Sequence, residues 1–220
     1  MTIRLIIFLL FCSQLISAQY LEFVGDLSKY DYGLEDELKY SNSAKTEVGY
    51  GFHISLNDVQ FGLEELKGVN FNFTFGVNKS KSEFSFRSGG QGGGSITGVK
   101  TQKTVIVIGI YPFNFKLFQR FELNFGANYM GTLSSNALGS NSSFGLAGNN
   151  VRIIDNEGDF FSKNQFGVTG RLAYKIKFND NTSLIPQYNY YLGLSKEFNR
   201  YISTTSIQNH FLGIGITRKL

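Results

Sequence analysis

Val69-Asn70-Phe71-Asn72-Phe73-Thr74-Phe75-Gly76-Val77 alternates without a break. Every odd position carries a large apolar side chain, and every even position a polar one or glycine. A repeat of two is that of a β-strand with one apolar and one wet face. In a soluble sandwich the aromatic face would be core. In an exported chain with more such segments it faces lipid, and the polar face lines a lumen.

An export signal stands at the front. Arg4 is a positive n-region, Leu5–Phe11 an apolar run, and Ile16-Ser17-Ala18 a cleavage site, so residues 1–18 read as a signal peptide and 19–220 as one mature domain. The apolar run is too short for a spanning helix, and no later stretch approaches the ~20 apolar residues one requires. The single cysteine, Cys12, falls inside the leader, which leaves the mature chain no disulfide or thiol chemistry. A net charge of +4, of which Arg4 supplies one, is too small to suggest nucleic acid as a partner. Aromatics at 15% and 25 glycines against 2 prolines suit strands rather than helices.

Outward from the opening segment, which is expected to span about Gly68 to Phe86, alternation marks Thr46–Leu56, Gln102–Tyr111, Phe121–Tyr129, Phe166–Phe178, Leu184–Gly193 and Ser206–Lys219. These make seven strands. An eighth, Leu21–Lys29, alternates poorly and is inferred as much from the even strand number of bacterial barrels as from its pattern. The connections near 57–67, 112–119 and 179–182 are expected on one side. Those near 30–44, 87–100, 131–164 and 195–205 are expected on the other as longer loops, including a flexible glycine run at 89–94 and a Ser/Asn/Gly-rich loop at 131–164. The fold expected is an eight-stranded antiparallel up-and-down transmembrane β-barrel. A secreted β-sandwich is the competing architecture.

Strands such as Phe166-Gly167-Val168-Thr169-Gly170-Arg171-Leu172-Ala173-Tyr174, and the ending His210-Phe211-Leu212-Gly213-Ile214-Gly215-Ile216-Thr217-Arg218-Lys219-Leu220, resemble those of the small Gram-negative outer-membrane barrels of the OmpX/PorT-like group. The resemblance covers nearly the whole mature chain. It implies the cell outer membrane, outer-membrane lipid as surroundings, and barrel-insertion machinery as a partner that reads the final strand. It implies shape and location, not chemistry.

By parity, Glu47, His53, Glu122, Arg171, Lys175 and Lys177 face the lumen. An inward Glu122–lysine network would plug a barrel whose interior is just wide enough for side chains; a selective pore lining is the alternative. His53 and Ser55 share a face and carry the residue types of a lipid-modifying hydrolase. The plainer reading is two ordinary lumen residues, with His53 near the periplasmic end and no acid to orient it. Asp155-Asn156-Glu157-Gly158-Asp159 gathers oxygen ligands without the spacing of a calcium loop. The glycine run lacks the Lys-Ser/Thr of a phosphate loop, and two histidines without a mature cysteine make a zinc site hard to build. Tyr111, Phe113, Phe115, Phe118 and Phe121 read as part of a periplasmic aromatic girdle. No catalytic, cofactor or metal residue is assigned, and no extracellular partner can be named. The expected function is a non-enzymatic outer-membrane barrel with surface loops for interaction, adhesion or envelope maintenance. The alternatives are a narrow porin-like channel and the lipid-modifying enzyme.

Overall fold

A computed structural model describes residues 16–34, 42–61, 69–90, 92–118, 120–146, 148–155, 162–195 and 204–220. Residues 1–15 of the expected leader, the turn around 62–68 and the carboxylates of 156–159 lie outside these residues. The elements are β1 (Ile16–Ser17), β2 (Tyr20–Leu34), β3 (Ser43–Thr46), β4 (Gly49–Phe61), β5 (Asn70–Gly90) and β6 (Gly93–Leu117). They continue as β7 (Phe121–Gly145), β8 (Gly148–Ile154), β9 (Asn164–Tyr174), β10 (Ile176–Lys177), β11 (Thr182–Gly193) and β12 (Thr204–Lys219). No helix occurs among the described residues.

Eight strands close a ring in the order β2-β4-β5-β6-β7-β9-β11-β12, and β12 returns to β2 through a register running from Thr204↔Leu34 to Lys219↔Tyr20. All pairings are antiparallel, so the expected barrel is the observed one, and the weakly patterned N-terminal segment is its closing strand. Closure gives each of the eight strands a paired neighbour on both sides, as a bilayer demands. The apolar positions point outward: Phe23, Phe52, Phe75, Val77, Phe125, Val168, Leu212 and Ile214 are exposed. On β5 this belt runs from Val69 to Val77, the ~9–11 residues that a tilted strand needs to cross a bilayer. Half-buried Lys79 and exposed Lys81 follow directly, placing charge where the lipid ends.

The outer side departs from expectation. Gly89, Gly90, Gly93 and Gly94 of the glycine run, and most of the described part of segment 131–164, are strand, not loop. β5 and β6 pair up to Gly90↔Gly93, β6 and β7 up to Gly93↔Gly145, and β8 folds back on β7 from Gly145↔Gly148 to Gly139↔Ile154. With Gly93–Lys103 beyond the belt at ~3.3 Å per residue and a tilt near ~45°, the tip stands about 25 Å outside the bilayer. This projecting sheet has its own core: Phe84, Val99, Ala137 and Ile154, packed against Tyr32, Ala44 and Phe86. On the opposite side, expected turn 112–119 shrinks to the reversal after Leu117, where Phe118 takes a φ of 51°.

Several inserted residues shift side chains from the face that simple alternation gives them, and three of them bear on the residues singled out above. Thr46 pairs with Ser82 but Tyr50 pairs with Lys79, so one residue is inserted between β3 and β4. The inward series therefore continues at Thr46 and Ala44, and Glu47 is exposed rather than in the lumen. A second bulge lies between Ile110 and Phe113: Tyr111 continues the inward series of Val105 and Val107, while Phe113 and Phe115 beyond the bulge turn outward, so Tyr111 leaves the girdle that Phe113, Phe115, Phe118 and Phe121 supply on the exterior. A third, between Leu56 and Val59, buries Asn57 and Asp58 side by side.

Candidate functional site in the lumen and the outer sheet

Alternation sends every second residue of eight strands into a space with room for little water. Polar groups there must pair with one another. Near the periplasmic end, Arg171 of β9 reaches across the lumen to Glu22 of β2. Its Nη2 donates to both carboxylate oxygens at 2.7 and 2.8 Å, and the two side chains are 5% and 0% exposed. Asn57 Nδ2 donates to Glu22 at 2.7 Å, Arg171 Nε donates to Gln187 Oε1, and Arg171 Nη1 donates to Asn124 Oδ1 at 3.3 Å. The pair that crosses the barrel is therefore Arg171–Glu22. Glu122 was expected in this role, but it is half-buried on β7 and lines a small cavity with Lys175, whose ammonium lies 4.3 Å from the Tyr20 ring centroid. Lys177 pairs with inward-facing Ser183 but sits at the rim, exposed to solvent.

One level up, His53 Nδ1 lies 2.5 Å from Asp26 Oδ2, with both side chains buried. An acid does orient this histidine. Alternation missed it because Asp26 belongs to the weakly patterned strand. Ser55 Oγ is 2.9 Å from Thr74 Oγ1, and Phe211 packs edge-on to the imidazole. A cavity of about 20 Å³ between His53, Ser55, Tyr111 and Arg171 has room for little more than one water. His53 and Ser55 face this enclosed space, away from the acyl chains outside. Above them Val105, Val107, Met130, Tyr191 and Phe211 form an apolar layer across the lumen. Above that layer Lys103 is buried with its ammonium 4.4 Å from the Tyr30 ring centroid, a cation–π contact. Among the described residues no group of three or more His, Cys, Asp or Glu could hold a metal.

The outer sheet carries exposed charge on its outward face. Lys100 Nζ is 2.8 Å from Glu83 Oε1. The Lys100 hydrogen bond and charge hold the Glu83 carboxyl below the usual carboxylate range, and Glu83 in turn raises the Lys100 ammonium. Beside this pair Leu138, and higher on the same face Ile96, Phe144, Val151 and Ile153, are exposed, beyond any reach of lipid.

A closed antiparallel ring of eight strands, apolar outside and polar within, is an integral β-barrel of the outer-membrane class. Its lumen is filled by a charged layer, a His–Asp layer and an apolar layer. Among solved structures the chain is similar to Neisserial surface protein A, at 11% identity and a TM-score of 0.41 over 93% of this chain and 99% of that one. It is similar to OprG from Pseudomonas aeruginosa, at 10% identity and a TM-score of 0.41 over 92% and 97%. It is also similar to Ail, the attachment invasion locus protein of Yersinia pestis, at 7% identity and a TM-score of 0.32 over 93% and 100%. No protein-family model matches, and no curated protein matches.

Proposed function

We propose that this protein is a non-conducting outer-membrane anchor that holds a rigid β-platform outside the cell for contact with other surfaces or envelope components. The observation that carries this reading is the pairing of a filled lumen with strands that run far past the bilayer and bury a core of their own. A channel has no use for an ion pair and an apolar layer across its bore. A merely structural barrel has no use for 25-residue strands. Apolar side chains exposed on the outer sheet are the kind of patch that marks a contact surface.

Two measurements on the same protein test it. Refolded barrel in a planar bilayer should give no discrete conductance steps. Cells displaying the full protein should adhere to surfaces or to one another more than cells displaying a variant whose β5–β6 and β7–β8 hairpins are shortened to the belt. Reproducible steps together with hairpin-independent adhesion would overturn the proposal in favour of a narrow channel.

A further inference from the structure

Among the described residues the barrel wall is incomplete at its periplasmic rim between β5 and β6. Their ladder ends at Asn72↔Tyr111. The next residue of β6 is Pro112, which has no N–H to offer, and the bulge at this point turns β6 away from β5 while it stays paired with β7 through Leu117↔Phe121. The result is an open notch of about 470 Å³. Its outward walls are Val69, Phe113 and Phe115, all exposed on the lipid-facing side. Its floor is polar: Asp58, Asn114 and Lys116, and these three also line the small cavity inside the rim. The inward polar row and the outward apolar row of the barrel thus meet in one opening.

The floor is built rather than incidental. Asn114 Nδ2 donates to the Asn70 carbonyl at 2.7 Å, and its Oδ1 accepts from Asn72 Nδ2 at 3.1 Å, so one side chain stands in for the missing ladder. Asp58 takes a φ of 54° in the neighbouring β4 bulge, and its backbone N–H donates to Asn72 Oδ1 at 2.9 Å. A left-handed conformation at a non-glycine residue is uncommon and collects at sites with a task. It turns the Asp58 carboxylate onto Lys116 Nζ at 2.7 Å, with side chains 8% and 56% exposed.

We infer that this notch binds one zwitterionic phospholipid of the periplasmic leaflet. An ammonium-bearing headgroup matches the floor charge for charge: its amine donates to the Asp58 carboxylate, and its phosphate accepts from the Lys116 ammonium. One acyl chain then lies along Val69, Phe113 and Phe115. An anionic headgroup without an amine satisfies Lys116 but faces Asp58 with a phosphate. A bare acyl chain satisfies neither charge. The inference concerns the opposite end of the molecule from the outer platform and rests only on the barrel lying in a bilayer.

The test is native mass spectrometry of the folded barrel released from vesicles of defined composition. The wild type should retain one phosphatidylethanolamine and discriminate at least about tenfold against phosphatidylglycerol. The Asp58→Asn, Lys116→Gln variant should lose that discrimination, and Phe113→Ala should weaken retention of both lipids. Folding of each variant is checked by its heat-modifiable gel shift. If the double variant does not fold, Lys116→Gln alone, at an exposed position, must still lower phosphatidylethanolamine retention. Equal retention of the two lipids by the wild type would overturn the inference, as would unchanged preference in a folded variant.

Discussion

Replacing Arg171 by glutamine should be among the most damaging single substitutions in this barrel. The side chain is fully enclosed, and its partner Glu22 has no exposure at all. With the guanidinium gone, Glu22 keeps the hydrogen bond from Asn57 but no opposing charge within contact, and a carboxylate stranded in the lumen is costly. Breaking one side of a buried pair typically costs ~3–5 kcal/mol. Glu22→Gln strands the guanidinium in the same way. The double variant leaves no bare charge, and its two amides can still meet Asn57, Asn124 and Gln187. It should therefore be less damaging than the sum of the singles, with a coupling of at least ~2 kcal/mol. The chain has no tryptophan, so urea unfolding of the refolded barrel is followed by far-UV circular dichroism, with the gel shift as a second probe. Single substitutions that add to within ~0.5 kcal/mol would mean that the two side chains do not form one buried unit, and the account of the filled lumen would fail with them.

Two further outcomes follow from close approach and from charge. A Cβ on Gly76 would meet the His53 ring and sit 2.7 Å from the Phe52 carbonyl oxygen, so Gly76→Ala should destabilise the barrel by ~1–3 kcal/mol and displace His53 from Asp26, read as a shifted imidazole resonance. In the outer sheet, the folded Glu83 carboxyl ionises more readily than the unfolded one. The Glu83–Lys100 contribution is therefore fully present above the ordinary carboxylate pKa and is lost as pH falls through the lower, folded value. Amide-exchange protection in β5 and β6 around this pair should be flat from pH 6 to 8, after correction for intrinsic exchange, and drop only in acid. Glu83→Gln should remove that acid step, and a step near neutrality would assign it to another group.

The crossing part of the fold was legible because lipid enforces alternation. Each belt strand must show an apolar face, and Leu212–Ile216 does so at every second residue. The same parity placed His53, Arg171 and Lys175 inward. It could not place Glu47 or Tyr111, because one inserted residue reverses every side chain beyond it. It also failed past the membrane, where neither face of β7 meets lipid. Ser134–Ser143 pairs as regularly as any belt segment, yet its composition reads as loop.

The acids of β2 escaped for a related reason. Glu22 and Asp26 lie four apart at inward parity, the spacing that sets charges on one face of a strand. They were hidden because Val24 and Tyr30 share that face, while Gly25, Lys29 and Asp31 interrupt the other. A usable signal was present nonetheless. Arg171 is an inward cation in the middle of an uninterrupted lipid-facing strand. In a lumen packed with side chains such a charge requires a buried carboxylate at the same depth on another strand. Glu122 satisfies parity but lies beside Lys116 and Lys175 at the rim. Glu22 lies at the depth of Arg171, across the lumen on the strand that closes the ring. The demand of one buried charge for another is thus a stronger guide to the N-terminal strand than its own irregular pattern.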